Sequence, residues 1–118
     1  MVWIEVQECA NEIINEEMIQ SIYLEYPDPE DLNTDFIFYA RINDKKWVIY
    51  SAYIPDDIKN YDSDIDIRES YISELGDELY KKLMFFISEA KKKNNCQILS
   101  LSEKFLKSGF LDKYRGFS

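Results

Sequence analysis

From Ser70 to Lys93 the apolar residues Ile72, Leu75, Leu79, Leu83, Phe86, Ile87 and Ala90 recur three and four positions apart. That spacing places them on one stripe of an α-helix at least about five turns long. Lys91-Lys92-Lys93 sits where cations favour a helix C-terminus, and Asn94-Asn95 is a suitable stop. In a chain of 118 residues such a helix must lay its stripe on an apolar surface. The upstream sequence supplies one. Residues 35–42 and 47–54 are aromatic and β-branched runs joined by Asn43-Asp44-Lys45-Lys46, a turn composition, and they predict a hairpin. Both runs are apolar on both faces, which predicts central strands covered on each side.

The remaining signals are shorter. Val2, Ile4 and Val6 alternate with Trp3, Glu5 and Gln7, predicting a first strand. Ala10, Ile13, Ile14 and Met18 have helical spacing, predicting a short helix from about residue 10. Residues 22–26 either extend that helix or begin a strand, and Pro27-Asp28-Pro29 stops either one. A strand is expected near Ile65-Asp66-Ile67, another at 98–101, and a last helix at 103–107 closed by Gly109. These elements add up to a single α+β domain over residues 1–118. Its sheet is mostly antiparallel with about five strands, and one long helix and one or two short helices pack with it. Apolar content of 46% supports a buried core at this length. The start Met1-Val2-Trp3-Ile4-Glu5 has no basic region leading into a long apolar run, so a cytoplasmic protein with no membrane association is expected.

Charge divides the chain. Residues 1–66 hold 16 Asp/Glu against 4 Lys/Arg, and residues 67–118 hold 7 against 10, within a net charge of −9. The acidic portion repels nucleic acid and steers toward basic partners. The chain contains no histidine, which removes the commonest general base near neutral pH.

Candidate chemical motifs fail on inspection. Asp62-x-Asp64-x-Asp66 has the alternation of a calcium loop, but the glycine and the bidentate glutamate of an EF-hand are here Ile67 and Ser73. Pro55-Asp56 with Glu89-x-Lys91 resembles a two-metal nuclease signature, yet Glu89 and Lys91 fall on different faces of the long helix. Cys9 and Cys96 have neither metal spacing nor an imidazole to activate them, and they read as two buried free thiols, with one disulfide as the alternative. With only Gly76, Gly109 and Gly116, no phosphate cradle can be written. Neither a metal nor a cofactor is expected. Nine tyrosines and two tryptophans offer both core and interface material: Tyr39, Trp47 and Tyr50 are expected in the core, and Tyr26, Tyr53 and Tyr61, which flank the acidic loops, are expected outside it.

The stretch Leu79-Tyr80-Lys81-Lys82-Leu83 through Ala90-Lys91-Lys92-Lys93, then Gln97-Ile98-Leu99-Ser100-Leu101 and Phe105-Leu106-Lys107-Ser108-Gly109-Phe110, resembles the second half of acetyl-CoA-dependent N-acetyltransferases of the GNAT superfamily. The resemblance covers residues 70–110 and implies a GNAT-like fold in the C-terminal half, with acetyl-CoA held by backbone amides near residues 70–76. The family's general-acid tyrosine falls on Phe105, which has no hydroxyl. Its glycine-rich pyrophosphate turn falls on Arg68-Glu69-Ser70-Tyr71-Ile72-Ser73, which has no glycine, and too few residues follow Gly109 for the family's two closing strands.

The leading functional expectation is a non-catalytic acidic binding protein that inhibits a basic, nucleic-acid-binding partner such as a nuclease. Immunity proteins and phage-encoded inhibitors of bacterial defence nucleases, anti-CRISPR proteins among them, belong to that class. Its expected contact residues are Asp56, Asp57, Asp62, Asp64, Asp66, Glu30, Asp31 and Tyr61, and no direct nucleic-acid binding is expected. The alternative is a small GNAT-like acetyltransferase, and an oligomerising subunit is a third class.

Overall fold

A computed structural model describes residues 1–7, 12–31, 33–55, 64–93 and 97–113. The chain runs β1 (Val2–Glu5), β2 (Ile13–Asn15), a 3₁₀ turn (Glu16–Met18), β3 (Ser21–Glu25), β4 (Phe36–Ile42), β5 (Lys45–Ala52), α1 (Ile65–Lys92), β6 (Gln97–Leu99), α2 (Leu101–Ser108) and a second 3₁₀ turn (Phe110–Lys113). The α+β class is as expected. The single five-stranded sheet is not: there are two three-stranded sheets, ordered β2-β1-β6 and β3-β4-β5. The reason lies in β1. It pairs antiparallel with β2 on one edge and parallel with β6 on the other, so no edge is left for β5. A backbone hydrogen bond links the two past the end of β1, where Gln7 N donates to Val48 O at 2.8 Å.

The hairpin forms, but its turn is two residues and its second strand runs Lys45–Ala52 and not 47–54, because Lys45 and Lys46 join the ladder opposite Ile42 and Arg41. Asn43 and Asp44 take φ of 48° and 65°, which matches the twist of the flanking strands. Arg41 Nη2 donates to Asp44 Oδ1 across it at 2.8 Å. The expectation of two central, covered strands is corrected in part: β4 is central, but its Ile37 and Tyr39 are only partly buried beside buried Phe36, Phe38 and Ala40, and β5 is an edge strand, where Val48, Ile49 and Tyr50 are nevertheless buried in succession at an irregularity of the register. Tyr50 is buried, whereas Trp47 and Tyr39 are half-buried.

Residues 13–15 are strand and not helix, because pairing with β1 alternates Ile14 inward and Ile13 outward. Met18 is exposed, and Ala10 lies outside the described residues. Residues 22–25 are resolved as strand by pairing with β4. The expected strand at 65–67 is the first turn of α1 instead, since Asp64 caps the helix there by accepting from Asp66 N and Ile67 N. The strand at 98–101 is shorter than predicted. Ser100 accepts from Glu103 N and opens α2 at Leu101.

The stripe on α1 is buried at Ile72, Leu75, Leu79, Leu83, Phe86, Ile87 and Ala90 as the periodicity requires, against Phe36, Phe38, Ile4 and Leu99 of both sheets. At 28 residues, about 42 Å, α1 runs most of the 48 Å length of the molecule and holds the two sheets under one core. Each fully buried large apolar side chain contributes about 1.5–3 kcal/mol of transfer free energy. Gly109 closes α2 at φ 70°, a conformation that disfavours a Cβ. Gly109→Ala should destabilise the fold by about 1 kcal/mol in urea unfolding, and Gly109→Asn by less.

Candidate acidic docking face

Asp56, Asp57, Asp62 and Tyr61 lie outside the described residues. The others divide by what their carboxylates do. Asp64 caps α1, and Asp31 Oδ1 accepts from Asn33 N at 3.1 Å inside a tight turn. In that turn Thr34 Oγ1 accepts from Asp28 N at 2.8 Å and donates to Asp31 O at 2.7 Å. Local backbone therefore already uses Asp31 and Asp64. Glu30 and Asp66 are exposed.

Asp66 does not stand alone. Together with Glu69, Ser70, Ser73, Glu74 and Asp77 it lines an open groove of about 590 Å³ along the first half of α1. Spacings of three, four and seven put these residues on one flank of the helix. Ion pairs among the described residues include Arg41–Asp44, Lys91–Glu16, Lys92–Glu89 and Lys107–Glu103, and none of these involves this flank. Glu69, Glu74 and Asp77 were missed by the sequence reading, although the same helical spacing that located the core stripe also aligns them. Acids in the first half of α1 and lysines in its second half complement the helix dipole, so the arrangement also favours the helix itself.

Tyr26, expected to be exposed, is 43% accessible, as is Tyr53 at 61%. Tyr26 joins the end of β3 to this flank. Its hydroxyl donates to Asp77 Oδ1 at 2.7 Å, and its ring lies flat over Gly76, where a Cβ would overlap Cε2. A glycine inside a helix costs about 1 kcal/mol relative to alanine, and the ring explains why this one is kept. Gly76→Ala should therefore destabilise the wild type but stabilise a Tyr26→Ala background by about 1 kcal/mol. Urea unfolding of the four proteins checks this, and an effect of the same sign in both backgrounds would refute it.

Burial, then the hydrogen bond and negative charge of Asp77, push the Tyr26 phenol up to about 12 from its ordinary 10.0. Burial against Phe105 and Phe38 pushes Tyr50 up as well. Both folded states hold the proton more tightly than the unfolded chain, so their contributions are complete below about pH 10 and are lost as pH rises past it. Stability should fall between about pH 10 and about pH 12, and Tyr26→Phe should flatten part of that slope while leaving the part due to Tyr50.

A second concavity, a cleft of about 280 Å³, lies between the end of β5 and α2 and is lined by Gln7, Tyr50, Ser51, Ala52, Tyr53, Ser102, Phe105, Leu106 and Leu111. Among the described residues that line it, none carries a carboxylate, amine or thiol. The backbone amides of residues 70–76, expected to be available to acetyl-CoA, are interior to α1 because the helix already begins at Ile65, and they are engaged in helical hydrogen bonds. Phe105, which the resemblance to N-acetyltransferases sets against their general-acid tyrosine, is buried within a ring cluster. Among the described residues no helix is long and apolar enough to cross a membrane. No protein-family model, curated protein or solved structure matches the chain.

Proposed function

We propose that this chain is a non-catalytic acidic binding protein that covers the basic, nucleic-acid-binding surface of a partner protein and inhibits it. The reading rests on the flank of α1 from Asp66 to Asp77, where four carboxylates face solvent and, among the described residues, no ion pair engages them, although Lys81 stands one turn from Asp77. Over the eleven helical steps from Asp66 to Asp77, about 16 Å, they present about one charge per 5 Å, against about one per 3.4 Å along a DNA strand. A surface of that density imitates one phosphate strand in part, and the sequence adds Asp56, Asp57 and Asp62 immediately before the helix. Glu30 and Asp31 follow Tyr26 within five residues, and Tyr26 is tied to Asp77, so their turn begins at the same flank.

The test is capture by the immobilised chain from lysate at about 50 mM and about 500 mM salt. The bound proteins are identified and then assayed for nucleic-acid binding and cleavage with and without the chain. Salt-sensitive capture of a basic nucleic-acid-binding protein that the chain inhibits supports the proposal. Capture indifferent to salt, or a captured protein whose activity is unchanged, contradicts it.

A GNAT-like acetyltransferase is the second reading, favoured by the cleft beside β5. A thermal shift separates the two, because acetyl-CoA at about 100 times its Kd stabilises a binding protein by about 2.7 kcal/mol. The engaged amides of α1 and the capping carboxylate of Asp64 at its first turn lead us to expect no shift.

A further inference from the structure

Tyr50 is buried without a use for its polar end. It is 4% exposed, and its ring stacks on Phe105 at 4.3 Å between centroids. Among the described residues its hydroxyl has no hydrogen-bond partner, although a buried phenol normally finds one. The oxygen is not sealed in protein either, since the sealed and unpartnered side-chain atom among the described residues is Arg68 Nε. It opens instead on the cleft of about 280 Å³ between the end of β5 and α2, which Tyr50 lines. Burial pushes the phenol up, so the group keeps its proton and can donate it to an acceptor in the cleft.

The surroundings of that hydroxyl restrict what could accept from it. Ala52, Phe105, Leu106 and Leu111 give the cleft apolar walls, and Gln7, Ser51 and Ser102 add uncharged hydrogen-bonding groups. None of the described lining residues is charged, so a charged ligand would shed water with no counter-charge in return. An anion is opposed further by the net charge of −9. Tyr50, Tyr53 and Phe105 bring three rings to the cleft, which favour a flat aromatic ligand over an aliphatic one. Leu106 and Tyr53 are 69% and 61% exposed, and an occupant would cover them. The volume is about that of nine waters in the liquid, at the small end of ligand sites, enough for a ring with a short substituent.

We propose that this cleft is a binding site for an uncharged aromatic small molecule whose carbonyl or ring-nitrogen acceptor takes the hydrogen bond of the Tyr50 hydroxyl. The apolar walls hold the ring, and the one buried donor fixes its orientation. The site shares no residue with the acidic flank of α1, so it stands or falls apart from the partner proposed above.

Benzamide, benzoate and cyclohexanecarboxamide test each element of this, because they match in size and differ in charge or aromaticity. Titrated into the isotope-labelled full chain, benzamide should shift the backbone amide resonances of Gln7, Ser51, Ser102 and Leu106 saturably, with a dissociation constant on the order of 1 mM. Benzoate should bind about tenfold more weakly, and cyclohexanecarboxamide about threefold. Tyr50→Phe keeps the ring and removes a hydroxyl that has no partner among the described residues, so it should fold and bind benzamide about fivefold more weakly. Ser102→Phe, at an exposed position, should fill the cleft and abolish the shifts. Circular dichroism checks that both variants fold, and the three probes on the wild type decide the matter without them. Shifts that do not saturate or that lie away from these residues overturn the proposal. So does benzoate binding as tightly as benzamide, or a folded Tyr50→Phe that binds benzamide like the wild type.

Discussion

Replacing Phe105 by alanine should lower the free energy of unfolding by about 3–5 kcal/mol, the largest effect expected from any single change in this chain. The side chain is 1% exposed on α2 and sits at the meeting point of three other rings. Tyr50 of β5 stacks on it at 4.3 Å between centroids, Phe86 of α1 meets it edge-on at 5.0 Å, and Phe110 lies at 5.9 Å. Removing the ring deletes its transfer free energy and leaves a cavity between elements from three parts of the chain, which cannot collapse without moving α2. Much of the stability of a domain this size, typically about 5–15 kcal/mol, would be lost. The chain should then be largely unfolded at temperatures the wild type tolerates, as calorimetry would show. Phe105→Tyr separates packing from chemistry. A phenol there must place its hydroxyl among apolar neighbours or force it toward the cleft, so the substitution should destabilise by about 1–3 kcal/mol and confer no acetyl transfer. A stable, active Phe105→Tyr variant would argue for the acetyltransferase reading.

The second large effect concerns partner binding. Reversing Asp66, Glu69 and Asp77 to lysine adds two units of charge at each position and carries the net charge from −9 to −3. Close charge pairs in such interfaces couple with about 1.5–7 kcal/mol each. Taking the low end and allowing for exposure, affinity should fall by at least about a hundredfold. Most of the fall at low salt should appear in the association rate, and it should shrink as salt rises, because steering over distances beyond about 8–10 Å is screened. Stability should fall by roughly 1–3 kcal/mol, since the Tyr26–Asp77 hydrogen bond is lost and lysines replace Asp66 and Glu69 near the N-terminus of α1, where acids favour the helix; Asp77→Asn with the two other reversals keeps an acceptor there and serves as control. Surface plasmon resonance across a salt series reads both. Undiminished affinity in the triple variant would remove the docking face from consideration.

Much of the architecture was legible because its signals are local and periodic. The α1 stripe needed only the 3.6-residue repeat, and the hairpin needed two β-branched runs around Asn43-Asp44. What misled was pairing. Ile13, Ile14 and Met18 fit a helical wheel, but β1 had an open edge beside them, and a ladder to it outweighed a propensity that is weak over so few residues. Residues 65–67 looked like a strand because two isoleucines flank an aspartate, and the capping carboxylate one position earlier decided otherwise. The acidic flank of α1 was only partly legible. Dividing the charge at residue 66 merged the acidic beginning of α1 with its basic end, and the sum of +3 concealed Glu69, Glu74 and Asp77.

The order of residues along the chain determined the α+β class, the long helix with its buried face, the hairpin turn and the excess of negative charge. These follow from periodicity and composition, which act over a few neighbours. Only the tertiary structure decided that the strands divide into two sheets, that Tyr26 reaches across to Gly76 and Asp77, and which carboxylates stand together. Those outcomes depend on which distant edges meet, and residues 51 positions apart have no local signal that tells them so.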